Sequence, residues 1–451
     1  MTSKIFRGDM PEIMEKILNN LNDEFYSLYS CALVSRHWCK ISIPILWQDP
    51  FSINRDSFSI KQTSLFISQY ISSFDENEKL VLKEYGIYEN FSETLFDYAR
   101  FLKVLDLSRL ESKVYNWITK LKPYQYYNGP LANLITNLLF KLLIKSGAIL
   151  HKLVLNLSNF LEIKPEIFNS LEQNDQFFSK LQDLVLNETS KGFRIESATK
   201  LLRILAKNAT KISDLKLNRF ISDCESQLFH VLICIINSQE HLRKFSVSNE
   251  ESNEFHGIIS SLEKQKSSLQ EVNIENCAFS AEFEVLKNIK NLEILRVRNC
   301  DHPKLLKILN NKISTLEIVN LPIGIDASDL VEVLEKSGIL LQRLKLEALG
   351  RKILEESLLL ESFKFFCPNI TYLNISYIFE LSTQFLELIC TLQKLQFLTL
   401  DYIAYIPGEE LKILVKQFAE ILPSALQYLK ITDLIVDKGR SQETFSICRK
   451  F

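Results

Sequence analysis

Apolar residues recur along most of the chain in one short template, apolar-x-x-apolar-x-apolar, first met at Leu102, Leu105 and Leu107. Further copies start at Leu150, Leu181, Ile212, Leu242, Leu269, Leu292, Ile313, Leu341, Ile370, Leu395 and Leu426, twelve copies in all, at steps of 21 to 48 residues. Within a copy the fourth and sixth positions share one face at a period of two, which predicts a short strand with one buried side. Between copies the period changes. Ala198–Ala206, Leu228–Ile236, Leu330–Leu334 and Leu411–Phe418 carry apolar residues three and four apart, which predicts amphipathic helices.

A single strand and helix cannot bury both apolar faces alone. Neighbouring units must therefore stack into a continuous core, with parallel strands lining the inner curve. With most steps close to the roughly 20–29 residues of a leucine-rich repeat, the array resembles leucine-rich-repeat proteins of the cysteine-containing and ribonuclease-inhibitor kinds. In that family the ninth template position carries Asn or Cys, which caps the turn after the strand. Cys277 and Cys300 stand there, whereas other copies carry residues such as Leu110, Phe220, Leu321 and Ile378. The expectation is an irregular solenoid in which these two cysteines are turn residues, with no redox or metal role.

Residues 10–47 do not fit the template. Pro11 and Glu12 suit a helical first turn after Asp9, and Ile13, Ile17, Leu18 and Leu21 follow at helical spacing. After a break at Asn22 and Asp23, the residues Leu28, Cys31, Ala32 and Val34 continue an apolar face. Trp38, Ile41, Ile45 and Trp47 extend it past a turn expected near Pro44. So small a core commonly gains stability by docking on a partner.

This module resembles the F-box. Met10-Pro11-Glu12-Ile13, Leu21, Leu28, Leu33-Val34-Ser35-Arg36-His37-Trp38 and Leu46-Trp47 follow that family's pattern, with Met10 for the usual Leu and one residue fewer between Pro11 and Glu12. The resemblance implies docking on the Skp-type adaptor of a cullin-RING ubiquitin ligase. Pro11, Ile13, Leu28, Val34 and Trp38 would then belong to the docking surface or its immediate support, and the array would capture a protein substrate.

The expected fold class is α/β: a short N-terminal helical F-box over 1–52, a helical bridge over 53–100, and a leucine-rich-repeat solenoid of about twelve strand-helix repeats over 101–451. The bridge includes the apolar stretches Ser64–Ile71 and Leu95–Leu102. Composition supports an ordered chain, because hydrophobic residues make up 46% while 11 Gly and 11 Pro leave little for long flexible linkers. Charge excludes one partner class: 53 Lys and Arg against 55 Asp and Glu give no electrostatic case for nucleic acid. Without an apolar segment of signal-peptide or membrane-spanning length, no membrane partner is expected and the location is cytoplasmic or nuclear. Nine cysteines without a C-x-x-C pair suit free thiols in a reducing compartment.

Template positions three, five and seven face outward on the inner curve and are free to carry recognition. Position three ends in Tyr372, Phe397 and Tyr428, with Tyr377 and Tyr402 close by at position eight. Clustered exposed aromatics are typical binding hot spots, so these five form the candidate substrate-binding edge, the alternative being rings that only pack on one another. A basic group, Arg296, Arg298, Arg343 and Lys345, is interrupted by Glu317 and suits either an acidic or phosphorylated peptide or a solvated face. No phosphate-binding glycine loop, zinc-protease helix, calcium loop or nucleophile elbow occurs, and the six histidines show no metal-ligand spacing. No catalytic residue, metal or cofactor is expected. The chain reads as a receptor and not an enzyme, the alternative being a repeat scaffold or inhibitor with no ligase role.

Overall fold

The computed structural model describes residues 11–22, 24–51, 60–88, 93–122, 128–157, 163–187, 195–220, 226–249, 257–277, 280–300, 313–321, 327–348, 356–378, 383–402, 420–433 and 443–448. The chain divides into two compact units, one of Met1–Ser213 with His230–Glu240, the other of Asp214–Phe229 with His241–Phe451.

The first unit opens with helices α1 (Pro11–Asn19), α2 (Phe25–Ala32) and α3 (Arg36–Leu46). The Trp38 N–H donates to Ser35 Oγ at 3.2 Å, so Ser35 caps α3 by satisfying a first-turn amide. No turn forms at Pro44, which lies within the last turns of α3. Helices α4 (Ile60–Ser72) and α5 (Glu76–Glu84) follow, and α4 buries Phe66, Ile67, Tyr70 and Ile71. Asp75 and Glu78 cap α5 reciprocally, each side chain accepting from the other residue's amide. The stretch expected as a helix over Leu95–Leu102 is only a short 3-10 turn at Tyr98–Phe101, with Leu95 exposed.

Trp47 joins these helices. Its ring stacks on Tyr98 at 4.0 Å and meets Phe66 and Tyr70 edge-on at 4.9 and 5.0 Å. Two polar contacts tie the bridge to the helices after β1 (Val104–Asp106): Trp117 Nε1 donates to Ser68 Oγ at 3.0 Å, and Lys141 pairs with Glu78 at 2.9 Å. The bridge is thus packed on both sides.

All twelve template copies form parallel strands, and each strand begins at the third template position. In the first unit β1 pairs with β2 (Lys152–Asn156), and β2 with β3 (Asp183–Asn187). The second unit holds β4 (Asp214–Phe220), β5 (Lys244–Asn249), β6 (Glu271–Glu275), β7 (Ile294–Arg298), β8 (Thr315–Leu321), β9 (Arg343–Ala348), β10 (Tyr372–Ile378), β11 (Phe397–Tyr402) and β12 (Tyr428–Asp433). These pair in parallel in chain order, and β13 (Glu443–Cys448) adds to β12 antiparallel. Leu153 and Leu155 of β2, like Val272 and Ile274 of β6, are buried at the fourth and sixth positions, as the alternation predicts.

One backbone device repeats from rung to rung. The carbonyl at template position two accepts from the next repeat's amides at positions two and three, as Lys103 does from His151 at 2.7 Å and Lys152 at 3.1 Å. The Gln48 carbonyl serves β1 in the same way, accepting from Lys103 and Val104 at 2.9 and 3.0 Å. The end of the helical module therefore stands in for a missing first rung.

Helices complete most repeats, among them Ile195–Asn208, Ser226–Ser238 and Ala327–Ser337, on the stretches expected from periodicity, while Leu411–Phe418 lies outside the described residues. Among the described connections, two lack a full helix. Between β5 and β6 there is one turn at Ile258–Ser261 and a 3-10 segment at Leu262–Gln265, and between β6 and β7 only the 3-10 helix Ala281–Asn288.

Candidate functional site

Two surfaces carry the candidate residues. On the helical module, α1 splits the apolar stripe that periodicity predicts: Met14 and Leu18 are buried, whereas Ile13 and Ile17 are exposed. Leu28 and Ala32 of α2 lie in the core, while Tyr26 and Tyr29 face solvent. Leu33 and Val34, in the turn before α3, are 70% and 63% exposed. Six of the 17 exposed large apolar residues among the described ones thus fall between positions 13 and 34. Soluble surfaces scatter such residues singly, so this concentration makes the face a candidate interaction surface.

The five candidate adaptor residues have different surroundings. Ile13 and Val34 are exposed, Trp38 is half-buried, Leu28 is fully buried in support, and Pro11 begins α1 with its side chain outside the described residues. Sequence reasoning missed Tyr26, Tyr29 and Leu33. Their signal was apolar residues too numerous for a three-helix core to bury.

The second surface is the inner face of the second unit. Parallel pairing places Tyr372 beside Phe397 and Phe397 beside Tyr428, with ring centroids 6.3 and 6.4 Å apart. Phe397 is 38% exposed, and among the described residues it is the only large apolar residue so exposed on a strand. Tyr377 and Tyr402 lie on β10 and β11, and their side chains fall outside the described residues.

The basic group is organised around the acid that seemed to interrupt it. Glu317 is buried, and it receives Arg343 Nε at 2.9 Å, Arg296 Nε at 3.3 Å and Arg298 Nη2 at 3.6 Å. Burial pushes the Glu317 carboxyl up, but the Arg343 hydrogen bond and the charges of Arg296, Arg343 and Arg298 outweigh it and hold the group below its usual range. Arg296 also pairs with Glu271, which takes Lys244 at 3.3 Å. Lys345 pairs with Glu347 at 3.1 Å. Arg343 lies flat over the Tyr372 ring, its Cζ 3.6 Å from the centroid, which joins the charged strip to the aromatic rungs. Beside Arg296 and Arg298 opens a hollow of about 260 Å³ whose lining includes Lys216, Asn218, Asn273 and Glu275.

Cys277 and Cys300 are buried on consecutive rungs, their thiols donating to the carbonyls of Glu275 and Arg298 at 3.0 and 3.2 Å. A hydrogen bond with Cys300 and burial push the Cys277 thiol up, so it stays protonated and unreactive. The residues before them, Asn276 and Asn299, have φ of 53° and 52°, and Asn320 on the next rung has 55°. Left-handed backbone at this eighth position lets the chain leave the strand, and Asn tolerates it better than most residues. Among the described residues no group of three or more His, Cys, Asp and Glu is placed to hold a metal, and no helix is long and apolar enough to cross a membrane.

Comparison with known proteins agrees with the module. Residues 11–52 match the model of the F-box-like family. No curated protein matches the chain. Among solved structures, an internalin from Listeria monocytogenes matches at 14% identity over 73% of this chain and 71% of its own, with a TM-score of 0.31. The chain therefore carries an F-box-like domain at residues 11–52, followed by strands that pair in parallel at leucine-rich-repeat spacing.

Proposed function

We propose that this protein is the substrate-recognition subunit of a Skp–cullin–F-box ubiquitin ligase. Its F-box-like domain docks on the Skp-type adaptor, and the inner face of the array captures a protein for ubiquitination. The observation that carries the reading is the F-box-like domain itself, with Ile13, Ile17, Tyr26, Tyr29, Leu33 and Val34 left exposed on a module too small to gain from exposing them. Packing of Trp47 between the module and the bridge supports a firm attachment of the domain to the first rungs. Catalysis then belongs to the ligase partners, and this chain supplies proximity.

Co-expression with a Skp-type adaptor tests the reading. The adaptor is expected to co-purify with the full chain and to be lost from the double variant Pro11→Ala, Trp38→Ala. Retention by that variant at wild-type yield would refute this docking mode.

A further inference from the structure

We propose that the inner face of β7 to β12 takes an extended, unmodified acidic peptide that ends in an apolar or aromatic residue. This rests on the capture role proposed above and specifies the peptide's chemistry. Among the described residues, the ion pairs of Lys244, Arg296, Arg298 and Arg343 run to two buried or half-buried carboxylates, Glu271 and Glu317, so this linked network holds surplus positive charge. Arg343 is fixed for recognition: its Nε is held by Glu317 and its flat face by Tyr372, while its Nη groups have no partner among the described residues. Arg298 has a half-exposed side chain and touches Glu317 only at 3.6 Å. Guanidiniums held in this way present ready forks to incoming carboxylates.

Next to this charge stand the rings of Tyr372, Phe397 and Tyr428, with Phe397 the most open. The ring nearest the cations is already covered by Arg343, so the ladder offers its free surface at Phe397 to an apolar group and not to a further cation. Single carboxylates fit the surplus better than a phosphate dianion. Glu275 lies directly beside Arg298 on the neighbouring rung, and Glu347 lies beside Lys345, so a doubly charged group would meet nearby negative charge.

The rungs also set the spacing. Neighbouring strands lie about 4.8 Å apart and an extended peptide advances about 3.3 Å per residue. Two rungs separate Arg343 on β9 from Phe397 on β11, which is about three peptide residues, and Arg298, two rungs the other way on β7 and four residues further along its strand, is about five residues beyond Arg343. The recognised pattern is an aromatic residue, an acidic one about three residues away and a second acidic one about five residues beyond that, running obliquely across the strands.

The test uses the full chain with its adaptor and a fluorescein-labelled peptide carrying two glutamates and a phenylalanine at that spacing, separated by glycine and serine. Fluorescence anisotropy is expected to show binding that weakens about tenfold or more with Phe397→Ala, with Arg343→Ala, and with a peptide whose glutamates are alanine. Arg298→Glu is expected to weaken the parent peptide and to recover a peptide with lysine in place of the distal glutamate, which a mere folding defect cannot produce. Equal binding of the alanine peptide, binding only when the acidic positions are phosphoserine, or failure of the lysine peptide to recover would each overturn the proposal. Adaptor retention is read in the same samples: a retained adaptor with no peptide binding sinks this inference alone, and a lost adaptor sinks the ligase reading alone.

Discussion

The helical module and the repeat array treat apolar surface in opposite ways. In the array each rung buries its fourth and sixth positions against the next, so Leu344, Leu346, Leu373 and Ile375 all lie within a continuous core. In the module three short helices bury Met14, Leu18 and Leu28 yet leave Ile13, Ile17, Leu33 and Val34 open. A solenoid can always add a neighbour, whereas a three-helix module has no further element to cover its second face. The difference shows where apolar surface stays uncovered: along one face of the module, and in the array, among the described residues, at single side chains such as Phe397.

The comparison is sharpened most by matched core truncations. Leu346→Ala in the array and Leu28→Ala in the module should each cost about 2–5 kcal/mol, because both side chains are fully buried. Denaturant melts with hydrogen exchange should show protection lost across neighbouring rungs for Leu346→Ala, but confined to the helical module for Leu28→Ala. Equal, global loss in both would break the contrast.

Next in size is Gly338→Ala. An added Cβ would lie 2.7 Å from the Phe366 carbonyl oxygen and 2.9 Å from Cys367 Sγ, and backbone cannot give way cheaply. The expected loss is about 1–3 kcal/mol in the same melts.

A smaller effect belongs to pH. The Glu317 and Glu271 carboxyls are held below their usual range, for both groups against the opposing push of burial. A depressed folded-state value means stability that is present above the unfolded-state value, about 4.3 for Glu, and lost as pH falls through the lower folded value. Melts from neutral pH to below about pH 4 should therefore fall more steeply for the wild type than for Glu317→Gln, which lacks the titrating group. Identical slopes would mean the arginines do not hold Glu317 as the distances imply. Smallest is Asn299→Ala, expected to cost about 1 kcal/mol because φ of 52° is strained for Ala.

Much of the array was legible in the sequence because the template fixes both register and burial, and every one of twelve strands starts where its third position predicts. The turn chemistry was harder to see. Attention to the ninth position found Cys277 and Cys300, while the left-handed residues Asn276, Asn299 and Asn320 stand one place earlier. The charged strip was legible as composition but not as geometry, since Glu317 gathers arginines from β7 and β9, diagonal contacts that exist only once rungs stack. On the module the helices were legible, but helical spacing alone did not separate Ile13 and Ile17 from Met14 and Leu18, because all four fall on one broad apolar stripe and periodicity does not say which edge of it is covered.

The central claim is that the open apolar face of the module is a docking surface and not a structural defect. Titration of a Skp-type adaptor into the full chain, wild type against the double variant Ile13→Asp, Val34→Asp, tests this most directly. The expected result is that adaptor affinity falls by about a hundredfold or more while the free chain still melts cooperatively as a folded protein, since Val34 is 63% and Ile13 39% exposed. Unchanged affinity, or a variant that unfolds, would contradict it.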